Sequence, residues 1–277
     1  MAGSPVAASS PVAGGDINRA ERMTLADGRE LFVKHRQGAP AGMYAAEAAG
    51  LAWLAEPAAV RTPAVVAVGD ERPPRFLALE WIPRGRPAPG HDEALGRGLA
   101  VLHRAGPEAF GLADDNFIGS LSQRNGLVES WPELYGERRL GPVARAAVDA
   151  GALPAAFLDG LERLRPRLPD LSGPPESPAR LHGDLWGGNA MTDAGGAPVL
   201  IDPAVYGGHR EVDLAMKRLF GGYGPDVFAA YAEAHPLASG HEDRVELYQL
   251  YPVLVHVVLF GGGYARSAER ILRRYAG

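Results

Sequence analysis

The chain lacks cysteine altogether, since none of its 277 residues is Cys. This absence excludes a disulfide framework, a thiolate zinc site and a cysteine nucleophile. A reducing compartment imposes no cost on such a chain, and we therefore expect a cytoplasmic protein.

The chain also lacks any long apolar run. No stretch reaches the roughly 18 uninterrupted apolar residues that a membrane-spanning helix requires. The segment 1–13 is made of small and prolyl residues, without a basic start or an apolar core, and therefore does not resemble a signal peptide. We expect no membrane association, and we expect residues 1–11 to form a mobile terminus.

A third absence is an excess of positive charge. Lys and Arg number 28 against 33 Asp and Glu, which gives a formal net charge of −5. This balance predicts neither a nucleic acid nor an anionic membrane as partner. Hydrophobic residues make up 46% of the chain. That share is enough for a substantial core, in one large domain or two lobes.

The run His182-Gly183-Asp184-Leu185-Trp186-Gly187-Gly188-Asn189 carries the strongest chemical signal. Its H-x-D-x-x-x-x-N spacing is that of a kinase catalytic loop, in which the Asp accepts a hydroxyl proton and the Asn holds a metal ion. Asp202 follows an apolar strand, where a second metal-binding carboxylate is expected. An amide and a carboxylate oxygen suit Mg²⁺. The pattern predicts phosphoryl transfer from ATP, with Asp184 as the base and Asn189 and Asp202 as Mg²⁺ ligands.

Residues in the first part of the chain complete this set. The strand 31–34 ends in Lys34, as does the kinase strand whose Lys contacts the ATP phosphates. Glu47 lies on the next predicted helix and can form the kinase Lys–Glu ion pair. The turn Gly14-Gly15-Asp16-Ile17-Asn18 is a candidate phosphate loop, because glycine lets backbone N–H groups approach phosphate closely. Each signal is weak alone, and their order along the chain strengthens each one.

The element pattern predicts an α+β, two-lobed, protein-kinase-like fold. Asp27-Gly28 between apolar stretches indicates a hairpin over 24–34, a helix is expected over 44–56, and strands over 64–68 and 75–80. Helical periodicity then dominates at 91–104, 133–150, 155–165, 212–221, 226–235 and 242–258. We expect a β-rich nucleotide-binding lobe over 1–82 and a helical lobe over 83–277 that carries the catalytic and substrate-binding residues.

Departures from the protein-kinase pattern indicate a small-molecule kinase. Gly183 replaces the Arg of the kinase loop, and Pro203-Ala204 follows Asp202 where kinases carry Phe-Gly. The short segment between Asp202 and Asp213 leaves no room for a phosphorylatable activation loop. A switched protein kinase is therefore not expected.

At these motifs the sequence resembles the aminoglycoside phosphotransferase and choline kinase superfamily and, within it, the fructosamine (ketosamine) 3-kinase family. The likeness extends over nearly the whole chain from about residue 12, and the Leu-Trp-Gly-Gly form of the loop is its most specific part. The other matching segments are 14–18, 116–119, Trp131, 201–211, 213–216, 219–222 and 259–264.

The resemblance implies an ATP- and Mg²⁺-dependent kinase for a ketoamine, either a small molecule or a protein-bound adduct. The family phosphorylates the C3 hydroxyl, and the product then decomposes and frees the amine, which is a deglycation repair activity. Some eukaryotic members carry a redox-sensitive Cys in the phosphate loop. Asp16 occupies that region here, so disulfide regulation does not carry over. A monomer is expected.

The resemblance also assigns roles to residues. Glu80, Trp81 and Ile82 would contact adenine through their backbone, and His182 and Asp213 would support the catalytic loop. Candidate substrate contacts are Trp186, Asn116, His209 and His256.

Three alternatives are weaker. One is an aminoglycoside- or choline-type kinase, although no dense acidic run follows residue 230 to bind a polycation. Another is a non-catalytic nucleotide-binding protein, although Asp184, Asn189 and Asp202 are all present. The third is a metal hydrolase, although the histidines lack ligand spacing such as H-E-x-x-H.

Overall fold

Strands come first along the chain and build one antiparallel sheet. The structure is a computed structural model that describes residues 3–12 and 18–277. Its sheet has the strand order β1-β2-β3-β5-β4. The strands are β1 (Val6–Val12), β2 (Arg19–Leu25), β3 (Glu30–His35), β4 (Val65–Gly69) and β5 (Phe76–Glu80). The predicted hairpin is confirmed, because β2 and β3 pair across the Asp27-Gly28 turn.

The first strand corrects one expectation. Residues 1–11 were expected to be mobile, yet Val6–Val12 pairs along the edge of the sheet, from Val6 opposite Leu25 to Val12 opposite Ala20. The residues of β1 are mostly small, and most are exposed. The sequence therefore lacks the alternation of apolar and polar residues that would predict a strand. Backbone pairing holds such a strand without large side chains. The predicted phosphate-loop residues Gly14, Gly15, Asp16 and Ile17 lie outside the described residues.

Helices dominate the rest of the chain, and each helix that the sequence predicts is present. Helix α1 (Met43–Ala55) packs on the sheet, where Met43, Tyr44 and Leu51 contact Leu77 and Leu79. The longer helices that follow are α2 (His91–Arg104), α4 (Gly141–Asp149), α5 (Ala156–Leu164), α7 (Glu211–Phe220), α8 (Pro225–Ala234), α9 (His241–Phe260) and α10 (Tyr264–Ala276). Two short helices are α3 (Trp131–Glu133) and α6 (Leu168–Leu171), and a π-helical segment (Leu134–Leu140) joins α3 to α4.

Three short strand pairs bring the two sequence motifs together. They are β6 (Asn116–Ile118) with β7 (Leu121–Gln123), β8 (Ala179–Leu181) with β11 (Tyr206–Gly208), and β9 (Ala190–Thr192) with β10 (Pro198–Leu200). The segment 182–189 joins β8 to β9, and 201–205 joins β10 to β11. Because β8 pairs with β11 and β9 with β10, the catalytic-loop segment and the Asp202 segment lie side by side.

Helices α2 and α8 pack against each other behind these strands. Their contact is close because Gly96 of α2 has no side chain: a Cβ there would lie 2.3 Å from the carbonyl oxygen of Val227 in α8. The pair also carries a polar link, since His103 of α2 lies 2.8 Å from the hydroxyl of Tyr231 in α8. The α2–α8 pair thereby positions His103, which also lies 3.3 Å from the Asp213 carboxylate that holds the catalytic loop.

An aromatic cluster lies in the largest core, on the side of β11. His209 is buried there, with 4% of its surface exposed, and its ring stacks on Tyr248 at 5.2 Å between centroids. Trp131 contacts the same histidine ring at 6.0 Å. The prediction that His209 contacts substrate does not fit this position, because the side chain is enclosed by core residues. The sequence alone did not show that the residue directly after β11 lies inside the core.

None of the helices in the described part of the chain combines the length and the apolar character that crossing a bilayer requires.

The α2–α8 contact makes a stability prediction. Gly96→Ala should force the two helices apart, because the added Cβ meets backbone rather than a movable side chain. We expect a loss of about 1–3 kcal/mol in the free energy of unfolding and a melting temperature roughly 3–9 °C lower. Gly263→Ala is the matched control, since its φ is −66° and nothing lies near its Cβ position. Equal melting temperatures for both variants would contradict the account.

Buried His209 predicts a pH dependence of stability. Burial lowers the pKa of His209 from 6.5 to about 4. The unfolded chain therefore binds a proton below pH 6.5 that the folded protein does not bind, and stability falls as the pH drops from 6.5 towards 4. His209→Phe, which keeps the ring stack, should show a shallower fall than the parent protein in chemical unfolding between these pH values. Parallel curves for the two proteins would show that His209 does not titrate as described.

Candidate active site

Asp184 lies at the floor of a cleft, in the loop between β8 and β9. The side-chain amide nitrogen of Asn189 donates to its carboxylate at 2.8 Å and to its backbone carbonyl at 2.9 Å. The loop is therefore closed on itself across the motif spacing. Burial raises the pKa of Asp184 to about 7 against the opposing hydrogen bond from Asn189, and the nearby negative charges of Asp202 and Asp213 add to the rise. A carboxylate with this pKa can accept a proton near neutral pH.

Lys34 connects the sheet to the catalytic segments. Its ammonium on β3 pairs with Glu47 on α1 and donates to Asp202 Oδ1 at 2.7 Å. Burial alone would lower the pKa of Lys34, but the carboxylates of Asp202 and Glu47 outweigh it and hold that pKa above its ordinary value. Burial raises the pKa of Glu47 to about 7 even though Lys34 opposes the shift. The structure thus forms the Lys–Glu pair that the sequence predicts.

Asp202 adopts an unusual backbone conformation beside this pair. Its φ is 53°, in the left-handed region that non-glycine residues seldom occupy, although Asp tolerates it better than most. Its side chain is 48% exposed, and its backbone carbonyl accepts from Asn189 Nδ2 at 3.3 Å. This conformation leaves a carboxylate oxygen open to the cleft while the backbone stays tied to the catalytic loop.

Asp213, at the start of α7, holds the catalytic loop from behind. Its two carboxylate oxygens accept from the backbone N–H groups of His182 at 2.8 Å and of Gly183 at 2.9 Å. His103 of α2 lies 3.3 Å from the same carboxylate. Burial alone would raise the pKa of Asp213, but these hydrogen bonds and the nearby histidines keep it below its ordinary value. Asp213 therefore remains ionised and fixes the backbone just before Asp184.

His182 and Gly183 hold the start of the catalytic loop against the segment that contains Asp202. His182 is buried, with one ring nitrogen 2.9 Å from the carbonyl of Ile201, which joins the loop to the Asp202 segment. Gly183 has a φ of 83°, and a Cβ there would lie 2.0 Å from the carbonyl oxygen of Ala204. Only glycine allows the two segments to approach this closely.

The cleft has a volume of about 430 Å³ and lies between the sheet with α1 and the helical region. Its lining includes the predicted residues Lys34, Glu47, Asp184, Asn189 and Asp202. Of the further predicted contacts, Asn18, Asn116, Trp186 and His256 also line it. The structure thus brings residues from distant parts of the sequence to one cavity.

Asn116 lies in the cleft wall, and its side-chain amide already forms hydrogen bonds within the protein. Its amide nitrogen donates to the carbonyl of Val205 at 2.8 Å, and its amide oxygen accepts from Gln123 at 2.8 Å and Asn125 at 2.9 Å. These bonds hold the segment after Asp202 in place. A substrate contact by Asn116 remains a prediction, and the geometry favours a supporting role.

The predicted adenine-binding residues lie at the end of β5. The backbone N–H of Trp81 donates to the carbonyl of Glu30, and the Glu80 carboxylate accepts from Arg61 at 2.6 Å. Ile82 is buried with 7% of its surface exposed. None of the three lines the described cleft, so their contact with adenine stays a prediction.

Sequence reasoning missed two supports of the loop. One is His103, which lies beside the Asp213 carboxylate. The other is Lys217 of α7, a buried side chain whose ammonium lies 3.1 Å from the ring centre of Tyr223, while the Tyr223 hydroxyl donates to the carbonyl of Trp186 at 2.9 Å. Burial lowers the pKa of Lys217 to about 7, although Asp213 opposes the shift. The helical spacing of Asp213 and Lys217, one turn apart, was the available signal.

The donor set of the cleft fits a magnesium ion. The amide nitrogen of Asn189 donates to Asp184 and Asp202, so its amide oxygen is the atom that would bind a cation. A carboxylate oxygen of Asp202 would be the second donor. Mg²⁺ prefers oxygen ligands and takes one or two from protein when phosphates supply others. The set of a carboxylate base, a fixed ammonium and two oxygen donors is suited to phosphoryl transfer to a hydroxyl.

Comparison with known proteins agrees with this chemistry. The family model for fructosamine kinase matches residues 2–276. A cyanobacterial protein from Synechocystis named "Probable ketoamine kinase slr1563" is 39% identical over 95% of this chain and 88% of its own. The chloroplastic protein-ribulosamine 3-kinase of Arabidopsis thaliana is 37% identical over 95% of this chain and 81% of its own.

A solved structure from Thermobifida fusca, described as a candidate fructosamine-3-kinase, shows the same architecture. It is 43% identical, with a TM-score of 0.89 over 99% of this chain and 94% of its own. The predicted two-lobed, α+β, kinase-like fold is confirmed by this likeness. The match of the family model over almost the whole length, together with these relatives, shows that the chain belongs to the fructosamine kinase family.

Proposed function

We propose that this protein is an ATP-dependent ketosamine 3-kinase, which phosphorylates the C3 hydroxyl of fructosamine or ribulosamine adducts. The observation that carries the proposal is the ammonium of Lys34, which is held between Glu47 and Asp202 in the same cleft as Asp184. That arrangement supports phosphoryl transfer, and family membership supports the ketoamine as acceptor. Breakdown of the phosphorylated product would free the amine, so the activity is a repair of glycation.

The chain's own residues supply the chemistry at the acceptor. Asp184 accepts the hydroxyl proton as the sugar oxygen forms its bond to the γ-phosphorus and the bond from that phosphorus to the bridging oxygen of ADP breaks. Its pKa of about 7 leaves a large fraction of the carboxylate free of protons near neutral pH. Asp213 keeps this base in place through the backbone of His182 and Gly183.

At the phosphate side, Lys34 provides a fixed positive charge for the ATP phosphates. Asn189 and Asp202 would hold Mg²⁺, which neutralises charge on the transferring oxygens when it is bound. We also propose that Gly14 to Asn18 and Glu80 to Ile82 contact the nucleotide, as the sequence predicts. Tyr44 supports Asn18 in this role, since its hydroxyl donates to the Asn18 side chain at 3.0 Å.

Charge in the cleft favours a ketoamine over a polycationic aminoglycoside. Among the described residues that line the cleft, the carboxylates are Glu47, Asp184 and Asp202. Glu47 and Asp202 pair with Lys34, and Asp184 is the base. The described lining therefore has no further acidic group that could pair with the several ammonium groups of an aminoglycoside. A ketoamine needs no such group, because it presents hydroxyls and a single amine.

The proposal also covers the protein's location, oligomeric state and partners. We propose a cytoplasmic monomer whose partner is a small or protein-bound ketoamine, without a nucleic acid or membrane partner. The net charge of −5 supports the last point, because it attracts neither nucleic acid nor an anionic membrane.

Turnover of ketoamines tests the proposed function directly. Purified protein with Mg-ATP should release ADP in the presence of fructosyl- or ribulosyl-amines, measured by a coupled assay. Asp184→Asn should lower kcat by roughly 10²–10⁴ because the general base is lost, while calorimetry still detects ATP binding. Asp226→Asn, an exposed carboxylate at the start of α8, is the control. An absence of sugar-dependent ADP release across the panel, or full turnover by Asp184→Asn, would refute the proposal.

Removal of Asp202 should affect the nucleotide rather than the sugar. Asp202→Ala deletes one of the two proposed oxygen donors to Mg²⁺, so we expect weaker Mg-ATP binding in titration calorimetry. ATP with excess chelator provides the reference, because without Mg²⁺ the parent and the variant should differ much less. Unchanged Mg-ATP affinity in Asp202→Ala would show that Asp202 is not a metal ligand.

A further inference from the structure

A continuous wall of aromatic rings borders the cleft beyond Asp184. We call it the aromatic wall, and its members all line the cleft: Trp186, Phe220, His256, Phe260 and Tyr264. Phe220 contacts His256 at 4.5 Å between centroids and Trp186 at 6.2 Å. His256 also contacts Tyr264 at 5.0 Å and Phe260 at 5.3 Å. The rings thus form one connected surface rather than separate core residues.

Two members of the wall leave much of their surface to solvent. Phe260 is 51% exposed and Trp186 is 39% exposed, and both belong to the few large apolar side chains that the described part of the chain exposes. Exposed aromatic surface in a concave site is costly in water, and it is a common mark of a ligand-binding surface. Neither ring is needed to close the core, so a bound molecule is what would cover them.

The wall carries no formal charge. Burial lowers the pKa of His256 against the opposing hydrogen bond between its Nδ1 and the carbonyl of Pro252 at 2.8 Å, so the ring is neutral near pH 7. The other four members are aromatic and uncharged. Their faces offer dispersion contacts and attraction for a single cation, but neither a partner for a carboxylate nor an ion pair for several ammonium groups.

The wall is fixed in the same frame as the base. Trp186 follows Asp184 in the catalytic loop, and Phe220 is the last residue of α7, the helix whose Asp213 holds that loop. In a ketoamine, C1 bears the amine and is separated from C3 by one carbon. A sugar whose C3 hydroxyl reaches Asp184 therefore brings its amine substituent within reach of the neighbouring walls of the cleft. Among these, the aromatic wall is uncharged and has exposed rings.

We propose that the aromatic wall is the subsite for the amine substituent, and that it selects ketoamines of aromatic or other uncharged apolar amines over those of anionic amines. This inference rests on the proposed function and deepens it. The sugar supplies the reacting hydroxyl, and the wall determines which amine the enzyme prefers.

A series of adducts with one sugar and different amines tests the subsite. The probes are the ribulosyl adducts of benzylamine, methylamine and glycine. We expect kcat/KM for the benzylamine adduct to exceed that for methylamine by about three- to tenfold, since one aromatic contact is worth roughly that factor. The glycine adduct should be the poorest of the three. The difference should lie mainly in KM, because the substituent does not take part in the chemical step.

Variants at the wall separate specificity from folding. Phe260→Ala should bring the benzylamine-to-methylamine ratio of kcat/KM towards one, and Phe260→Tyr should restore it. Leu127→Ala removes another exposed apolar side chain, 62% exposed and outside the cleft lining, and should leave the ratio unchanged. The melting temperature of each variant checks that the fold is intact.

The outcomes distinguish this inference from the function on which it rests. If all three adducts are phosphorylated with equal kcat/KM, the kinase function stands and the aromatic subsite is wrong. The same holds if Phe260→Ala keeps the parent ratio. If no adduct is phosphorylated, the proposed function itself fails, and the subsite fails with it.

Discussion

The ion cluster of Lys34 with Glu47 and Asp202 is the interaction on which the rest of the site depends. It joins a central strand of the sheet, the helix packed on that sheet and the segment that follows β10. A lone buried ammonium would be strongly disfavoured, and so would two neighbouring carboxylates without a cation. The buried ammonium of Lys34 is compensated by both carboxylates, and the cluster ties the sheet to α1 and to the catalytic segments. The same charges are what ATP phosphates and a cation would meet on entering the cleft.

The acceptor side is organised by a second anchor, helix α7. Asp213 at its start holds the backbone of His182 and Gly183, while Lys217 one turn later supports Tyr223, which bonds to Trp186. One rigid element thus controls both sides of Asp184. Its last residue, Phe220, belongs to the aromatic wall, so the base and the wall are anchored to the same helix. The arrangement explains how a short loop rich in glycine can present a catalytic carboxylate in a defined place.

Much of this could be predicted from the sequence, because strong local signals coincided with the fold. The Asp27-Gly28 hairpin, α2 and the order of Lys34, Glu47, Asp184, Asn189 and Asp202 are such cases, and the structure brings those five side chains into one cleft. Strand β1 could not be predicted because its small residues carry no pattern. Helix α10 was not among the predicted helices, although the apolar spacing at 268, 271, 272 and 275 indicates it. His209 and His103 depend on tertiary packing, so their burial and their partners could not be inferred from neighbouring residues.

The central claim is that Asp184 takes the proton of the sugar's C3 hydroxyl while Lys34 and the Asn189–Asp202 pair hold the nucleotide. A structure of the protein with a non-hydrolysable ATP analogue, Mg²⁺ and an unreactive ketoamine analogue tests it most directly. The account predicts the C3 hydroxyl within hydrogen-bonding distance of the Asp184 carboxylate and in line with the γ-phosphate. A different hydroxyl at Asp184, or a sugar bound away from that carboxylate, would contradict it.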